Sequence, residues 1–165
     1  MQLRSLMLSL HLQKIEDRAN VIRQMLFVCP HLRMLAVKSN ELSYCLEQKP
    51  AVTISSLDHL HLYVGDVDDI NATHLGAAFP NISCFSTGTD SLQLDMRICN
   101  VVQNLIKHFP YLRRLRFNDY MFHLESGTDE PDNNLPAHIL QTIEQLRSTD
   151  CCVRIFCKRR LFIWI

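Results

Sequence analysis

One short apolar phrase recurs along the chain at nearly constant intervals, and it limits the possible folds more than any other feature. It is Cys29-Pro30-His31-Leu32, then Phe79-Pro80-Asn81-Ile82, then Phe109-Pro110-Tyr111-Leu112. Each copy leads into an apolar residue three positions on and another two beyond that. The resulting triplets are Leu32/Leu35/Val37, Ile82/Phe85/Thr87 and Leu112/Leu115/Phe117, with Thr87 the one polar substitute. Midway between the first two lies Leu57/Leu60/Leu62, with Ser55 where the proline would stand, and Leu3/Leu6/Leu8 opens the chain. Self-similarity at a period of a few tens of residues marks stacked supersecondary units rather than an irregular globule.

The last two members of each triplet are two apart, the spacing of one face of a strand, so the residues between them point to the opposite face. The intervals between triplets read as helices. Ile98, Val101, Val102, Leu105, Ile106 and Phe109 share one helical face, with Asp95 as a cap. Ala19, Ile22, Met25, Leu26 and Cys29 form a second face, and Ile70, Leu75, Ala78 and Phe79 a third behind Asp68-Asp69. Leu135, Ile139, Leu140, Ile143 and Leu146 form a fourth, with Pro136 in its first turn. Leu42, Cys45 and Leu46 mark a shorter helical stretch. Each recurrent proline ends a helix, because it donates no hydrogen bond and restricts the residue before it. Alternating strands and helices also suit a doubly wound sheet, but the repeated phrase and the lack of a glycine-rich loop favour an α/β leucine-rich-repeat solenoid, a curved parallel sheet with convex-side helices. Steps near 25–30 residues fit such repeats.

The expected organisation is one domain. Residues 1–150 form about five repeats, with an exposed, mobile insertion near 125–134 (ESGTDEPDNN), and 151–165 add one or two capping strands. In that last segment Cys151/Val153/Ile155/Cys157 and then Leu161/Ile163/Ile165 alternate as strands do. The chain opens two residues before its first triplet, which leaves that edge without a cap and suggests that a segment precedes it.

Composition narrows the partners. Seventeen basic and seventeen acidic side chains cancel, so no global field favours nucleic acid or an anionic membrane. No apolar run approaches the roughly 18 residues of a membrane span. Seven cysteines are an odd number in no regular spacing. Six of them (Cys29, Cys45, Cys84, Cys99, Cys152 and Cys157) sit beside apolar residues and read as buried thiols, which points to a reducing compartment: the cytoplasm, with the nucleus as the alternative.

The phrase FPxLxxLxF after an amphipathic helix resembles the irregular repeats of F-box/leucine-rich-repeat proteins, and the closing RLFIWI resembles the terminal strand of divergent members. The resemblance runs from Leu3 to Ile165. It implies a substrate-recognition region of a ubiquitin-ligase receptor that would reach the ligase scaffold through an N-terminal F-box segment missing here. The repeats depart from the usual pattern at the ninth position, where asparagine stands once, as Asn40, against His11, Gly65, Asp90 and Tyr120. A structural or inhibitory repeat protein without a ligase role is the other reading.

No catalytic, cofactor or metal site emerges from the residues. His59 and His61 share a strand face, but zinc needs further ligands, and Asp58 and Asp66 do not clearly converge on them. Lys158-Arg159-Arg160-Leu161-Phe162 resembles a cyclin-docking peptide, which would require it to be exposed and extended. The expected binding surface is the concave face, where a protein partner would meet Met34, His59, His61, Arg114 and Arg116, with Arg113 at the edge.

Overall fold

A computed structural model describes residues 3–8, 14–47, 53–89, 96–119, 152–156 and 160–165, with isolated positions at 137, 141 and 144. Each described triplet forms a strand that begins two residues after the triplet's first apolar position. These are β1 (Ser5–Met7), β2 (Met34–Lys38), β3 (His59–Val64), β4 (Cys84–Thr89) and β5 (Arg114–Asp119). The helices between them are α1 (Ile15–Val28), α2 (Ser39–Glu47), α3 (Ala72–Ala78) and α4 (Met96–His108). Two more strands, β6 (Cys152–Phe156) and β7 (Arg160–Trp164), complete a seven-stranded sheet in the order β1-β2-β3-β4-β5-β7-β6.

The first five strands are parallel and follow chain order, and each triplet pairs with the next in phase. Leu6, Leu35, Leu60, Phe85 and Leu115 form one continuous row, and Val37, Leu62, Thr87 and Phe117 another. Both rows point into the core, where Leu35, Leu60, Phe85 and Leu115 are buried together with Ile22, Leu42, Leu75 and Val102 from the helices. A strand order that never reverses has a physical consequence. Crossovers between parallel strands are right-handed, so all of them fall on the same face of the sheet. A doubly wound sheet needs a reversal and a switch point; here neither exists among the described strands.

The proline phrases form one repeated turn. The amides of Cys29, Phe79 and Phe109 donate to carbonyls four residues back, ending α1, α3 and α4. Leu32 and Leu112 then donate to Cys29 and Phe109. Next, the carbonyl just before each strand accepts two consecutive amides from the following unit. Arg4 O takes Arg33 N and Met34 N, Arg33 O takes Asp58 N and His59 N, and the pattern continues through Asp58 and Ser83. The proline thus frees the chain from the helix, and this forked bond sets the register of the next strand.

Beyond β5 the parallel arrangement stops. β7 pairs antiparallel with β5 and then with β6, so the last strand in sequence lies inside the sheet. Leu161 and Ile163 are buried, which removes Leu161 from any exposed docking peptide. Ile165, expected to continue that apolar face, is exposed because it lies past the end of the strand pairing.

Other expectations need correction. Met25 is exposed, whereas its counterparts Leu75 and Leu105 are buried, because no described helix lies against α1 on that flank. Asp68-Asp69 is not the start of α3. Asp66 caps a separate 3-10 turn over Val67–Asp69, and Asn71 caps α3 by accepting from the His74 amide at 3.1 Å. Cys45 and Cys99 are buried, but Cys29 and Cys84 are only half-buried. Asp95, the insertion near 125–134 and the apolar face beginning at Leu135 lie outside the described residues, although Ala137, Gln141 and Glu144 are helical and exposed.

α2 begins directly at the end of β2 and buries a charge. Glu41 is fully buried, with its Oε1 2.7 Å from Arg18 Nε of α1. That contact joins the two helices as an ion pair, although neither carboxylate oxygen accepts a well-directed hydrogen bond among the described residues. Further along, α3 and α4 approach at Gly76, where an added Cβ would stand 2.6 Å from the His108 carbonyl oxygen. A glycine is required there by close backbone approach rather than by conformation.

Candidate functional site

Because the described helices cover one face, the other face of the parallel sheet has no helix over it among the described residues. Parallel sheets are ordinarily buried on both sides and read as continuous apolar runs. These strands alternate instead, and β3 alternates between open and buried positions along its length. Two rows of side chains therefore cross the open face. The first runs Ser5, Met34, His59, Cys84, Arg114 and Trp164; the second runs Met7, Ala36, His61, Ser86, Arg116 and Phe162.

The expected binding residues fall on these rows, but as a line rather than a cluster. Met34, His59 and Arg114 share the first row, and three strand spacings separate its ends, about 14 Å. His61 and Arg116 share the second row. Arg113 stands just before β5, and its carbonyl accepts the Ile165 amide at 3.1 Å, so it belongs to the rim where strands begin. Met34, His59, Arg113 and Arg114 are exposed, and His61 and Arg116 are half-buried. Ala36 of the second row is buried: it is the smallest side chain of that row, flanked by Met7 and His61.

Several of these groups are already ordered by their neighbours. His61 Nδ1 and Ser86 Oγ share a hydrogen bond at 2.7 Å, and the His61 ring meets Tyr63 edge-on at 4.6 Å. Arg116 donates from Nε to Asn118 Oδ1 at 2.9 Å and lays its guanidinium over the Phe162 ring at 4.9 Å. Phe162 in turn stacks on Trp164, with centroids 6.0 Å apart. His59 Nε2 is 3.9 Å from Asp58 Oδ1, and no group of three or more metal-ligating side chains forms among the described residues. Phe162 and Trp164 were missed as site residues. Their alternation with Leu161 and Ile163 is visible in the sequence, but the pairing of β7 with β5 is not.

The arrangement suits recognition. An exposed guanidinium at Arg114 and a stacked one at Arg116 present planar, forked donors that match carboxylates. Trp164 and Phe162 supply rigid apolar area beside them. The Cys84 thiol at the centre is not an activated nucleophile: burial pushes its pKa up, and the nearby Arg114 and Arg116 only partly counter this. Among the described residues no helix is long and apolar enough to cross a membrane. The chain matches no known family model and no curated relative.

Proposed function

We propose that the chain is a leucine-rich-repeat solenoid that recognises a protein partner on the open face of its sheet, as the substrate-recognition region of an F-box-type ubiquitin-ligase receptor. The observation that carries the reading is the sheet face that no described helix covers, crossed by an exposed Arg114, a preordered Arg116 and the stacked Phe162–Trp164 pair. The in-phase triplets and forked backbone bonds support the repeat architecture. Pre-positioned Arg and aromatic side chains are the residue types that dominate binding at protein interfaces, since little side-chain entropy remains to be lost. The ligase role rests on the resemblance of the repeats and on the N-terminal segment that it implies.

The test compares two doubly substituted proteins. Arg114→Glu with Arg116→Glu reverses the open face, and Gln103→Glu with Lys107→Glu alters exposed positions of α4. Proximity labelling in cells should lose its main partners only with the first pair, by roughly tenfold or more if either arginine is a hot spot. Loss with the α4 pair alone would refute the binding face. Absence of ubiquitin-ligase scaffold subunits from the labelled set of the full-length protein would refute the ligase assignment and leave the face intact.

A further inference from the structure

The exposed groups of the open face are not spread evenly over it. Along the first row Ser5, Met34, His59, Arg114 and Trp164 are exposed, and Cys84 is half-buried. Along the second, Met7 is exposed, Ala36 is buried, and His61, Ser86, Arg116 and Phe162 are half-buried. A third row runs Lys38, Tyr63, Gly88 and Asn118; only Lys38 is exposed, and Gly88 and Asn118 are buried. Most of what a partner can reach is therefore a strip one side chain wide, crossing the strands along the first row.

The two ends of that strip differ in chemistry. On β1 and β2, Met7 and Met34 expose 68% and 38% of their surface. They are diagonal neighbours across the two strands, and their flexible thioethers adapt to an apolar side chain laid on them. On β5, the exposed Arg114 makes no ion pair among the described residues, and Arg116 follows two residues on. Lys38 adds a third cation, and none of the three rows carries a carboxylate among the described residues. Asp58 lies just before β3, at the rim, 3.7 Å from Arg33 NH1. The face thus holds three positive charges with no negative one, and it calls for an anion at one end and an apolar group at the other.

We propose that this strip binds an extended acidic segment of a partner protein, in which an apolar residue and a carboxylate stand four positions apart. The inference rests on the open face being the binding surface. The spacing follows from two periods. Met34 and Arg114 are three strand spacings apart, about 14 Å. An extended chain advances about 3.4 Å per residue and turns every second side chain to the same side. Four residues therefore cover the span and bring both side chains down onto the sheet, the apolar one at Met34 and the carboxylate at Arg114. An offset of three or five would turn one of them away. A helix is about 10–12 Å across and would overlie the second row as well, where Ala36 offers it nothing to grip. The segment crosses the strands, so its backbone finds no ladder to join, and its side chains carry the selection.

Random nonapeptides displayed on phage are selected against the purified protein, and enriched peptides are then measured by fluorescence anisotropy. The expected consensus is Leu, Ile, Met or Phe four positions from Glu or Asp, in either chain direction, with an excess of acidic residues. Arg114→Gln should weaken a consensus peptide by about tenfold, as should replacing the peptide's spaced carboxylate with an amide. The two changes together should cost little more than either alone, because both remove the same contact. Met34→Ser should couple in the same way to the apolar residue of the peptide. Arg114 and Met34 are exposed, so both variants should fold, which circular dichroism checks. A consensus without that spacing, a basic consensus, additive effects of the paired changes or no enriched peptide at all would overturn the segment. The face itself would stand in those cases if Arg114→Gln with Arg116→Glu still lost the cellular partners. Enriched peptides that bind wild type and both variants equally would overturn the face and the segment together.

Discussion

Thr87 offers a direct test of how the core is ordered. It occupies the position held by Val37, Leu62 and Phe117 in neighbouring units, it is fully buried, and its Oγ1 has no hydrogen-bond partner among the described residues. Burying a hydroxyl without a partner costs about 1–3 kcal/mol in proteins. Valine has nearly the same shape and replaces the hydroxyl with a methyl group that packs against the row. Thr87→Val should therefore stabilise the protein by about 1–2 kcal/mol, with no cavity to offset it. For a domain of this length, each kcal/mol moves the midpoint by about 2–4 °C, so a rise of roughly 2–8 °C is expected in a thermal melt. Val37→Thr places the same hydroxyl in the same row two strands away and should lower the midpoint by a similar amount. A destabilised Thr87→Val protein would refute the reasoning, because it would mean that the hydroxyl makes a bond that the static arrangement does not show. A Val37→Thr protein as stable as wild type would show that the row tolerates polar groups.

Three further outcomes follow from the packing and the site. Arg18→Met leaves Glu41 buried without its cation and should cost about 3 kcal/mol in denaturant unfolding, near the lower end of the usual range because Arg18 retains some solvent contact. The double substitution Arg18→Met with Glu41→Leu should recover most of that loss, and a double variant no better than the single one would refute the ion-pair account. Gly76→Ala gains about 1 kcal/mol of helix propensity but drives a methyl into the His108 carbonyl, so a net loss of about 1–2 kcal/mol is expected, and a more stable variant would show that α3 moves freely against α4. For Cys84, the raised pKa keeps the thiol protonated where an ordinary thiol is half ionised, near about pH 8.5. Peptide mapping should find its alkylation by iodoacetamide slow at that pH and rising only above it; rapid labelling at neutral pH would contradict this.

Much of the sheet was legible because strand spacing and repeat spacing are separate signals that agree here. The triplets marked which residues face inward, and their intervals set the order of the five parallel strands. What remained hidden depended on long-range pairing. Nothing local indicates that β7 would enter the sheet ahead of β6, although that pairing places Phe162 and Trp164 beside Arg116 and Arg114. Glu41 was equally invisible, since a glutamate in an amphipathic stretch reads as a solvated residue until its partner on another helix is known. The juxtaposition of Arg4 and Arg33 could have been read, because both directly precede a repeat strand.

The antiparallel pair at one end of the sheet gives the molecule a mechanical direction. Among the described strands, β1 is three residues long and bonded to one neighbour, whereas β5 is held between β4 and β7. Under a pulling force across the described sheet, its two edges would respond differently. Tension on β1 loads its few bonds against β2, and those bonds fail while the rest of the sheet stays paired. Tension at the other edge pulls on β7, which must leave both β5 and β6 together. The described sheet would peel from β1, one strand at a time. A protease or unfoldase that engages the β1 end would meet a graded series of small barriers, while one that starts from the β7 end would meet a single larger one.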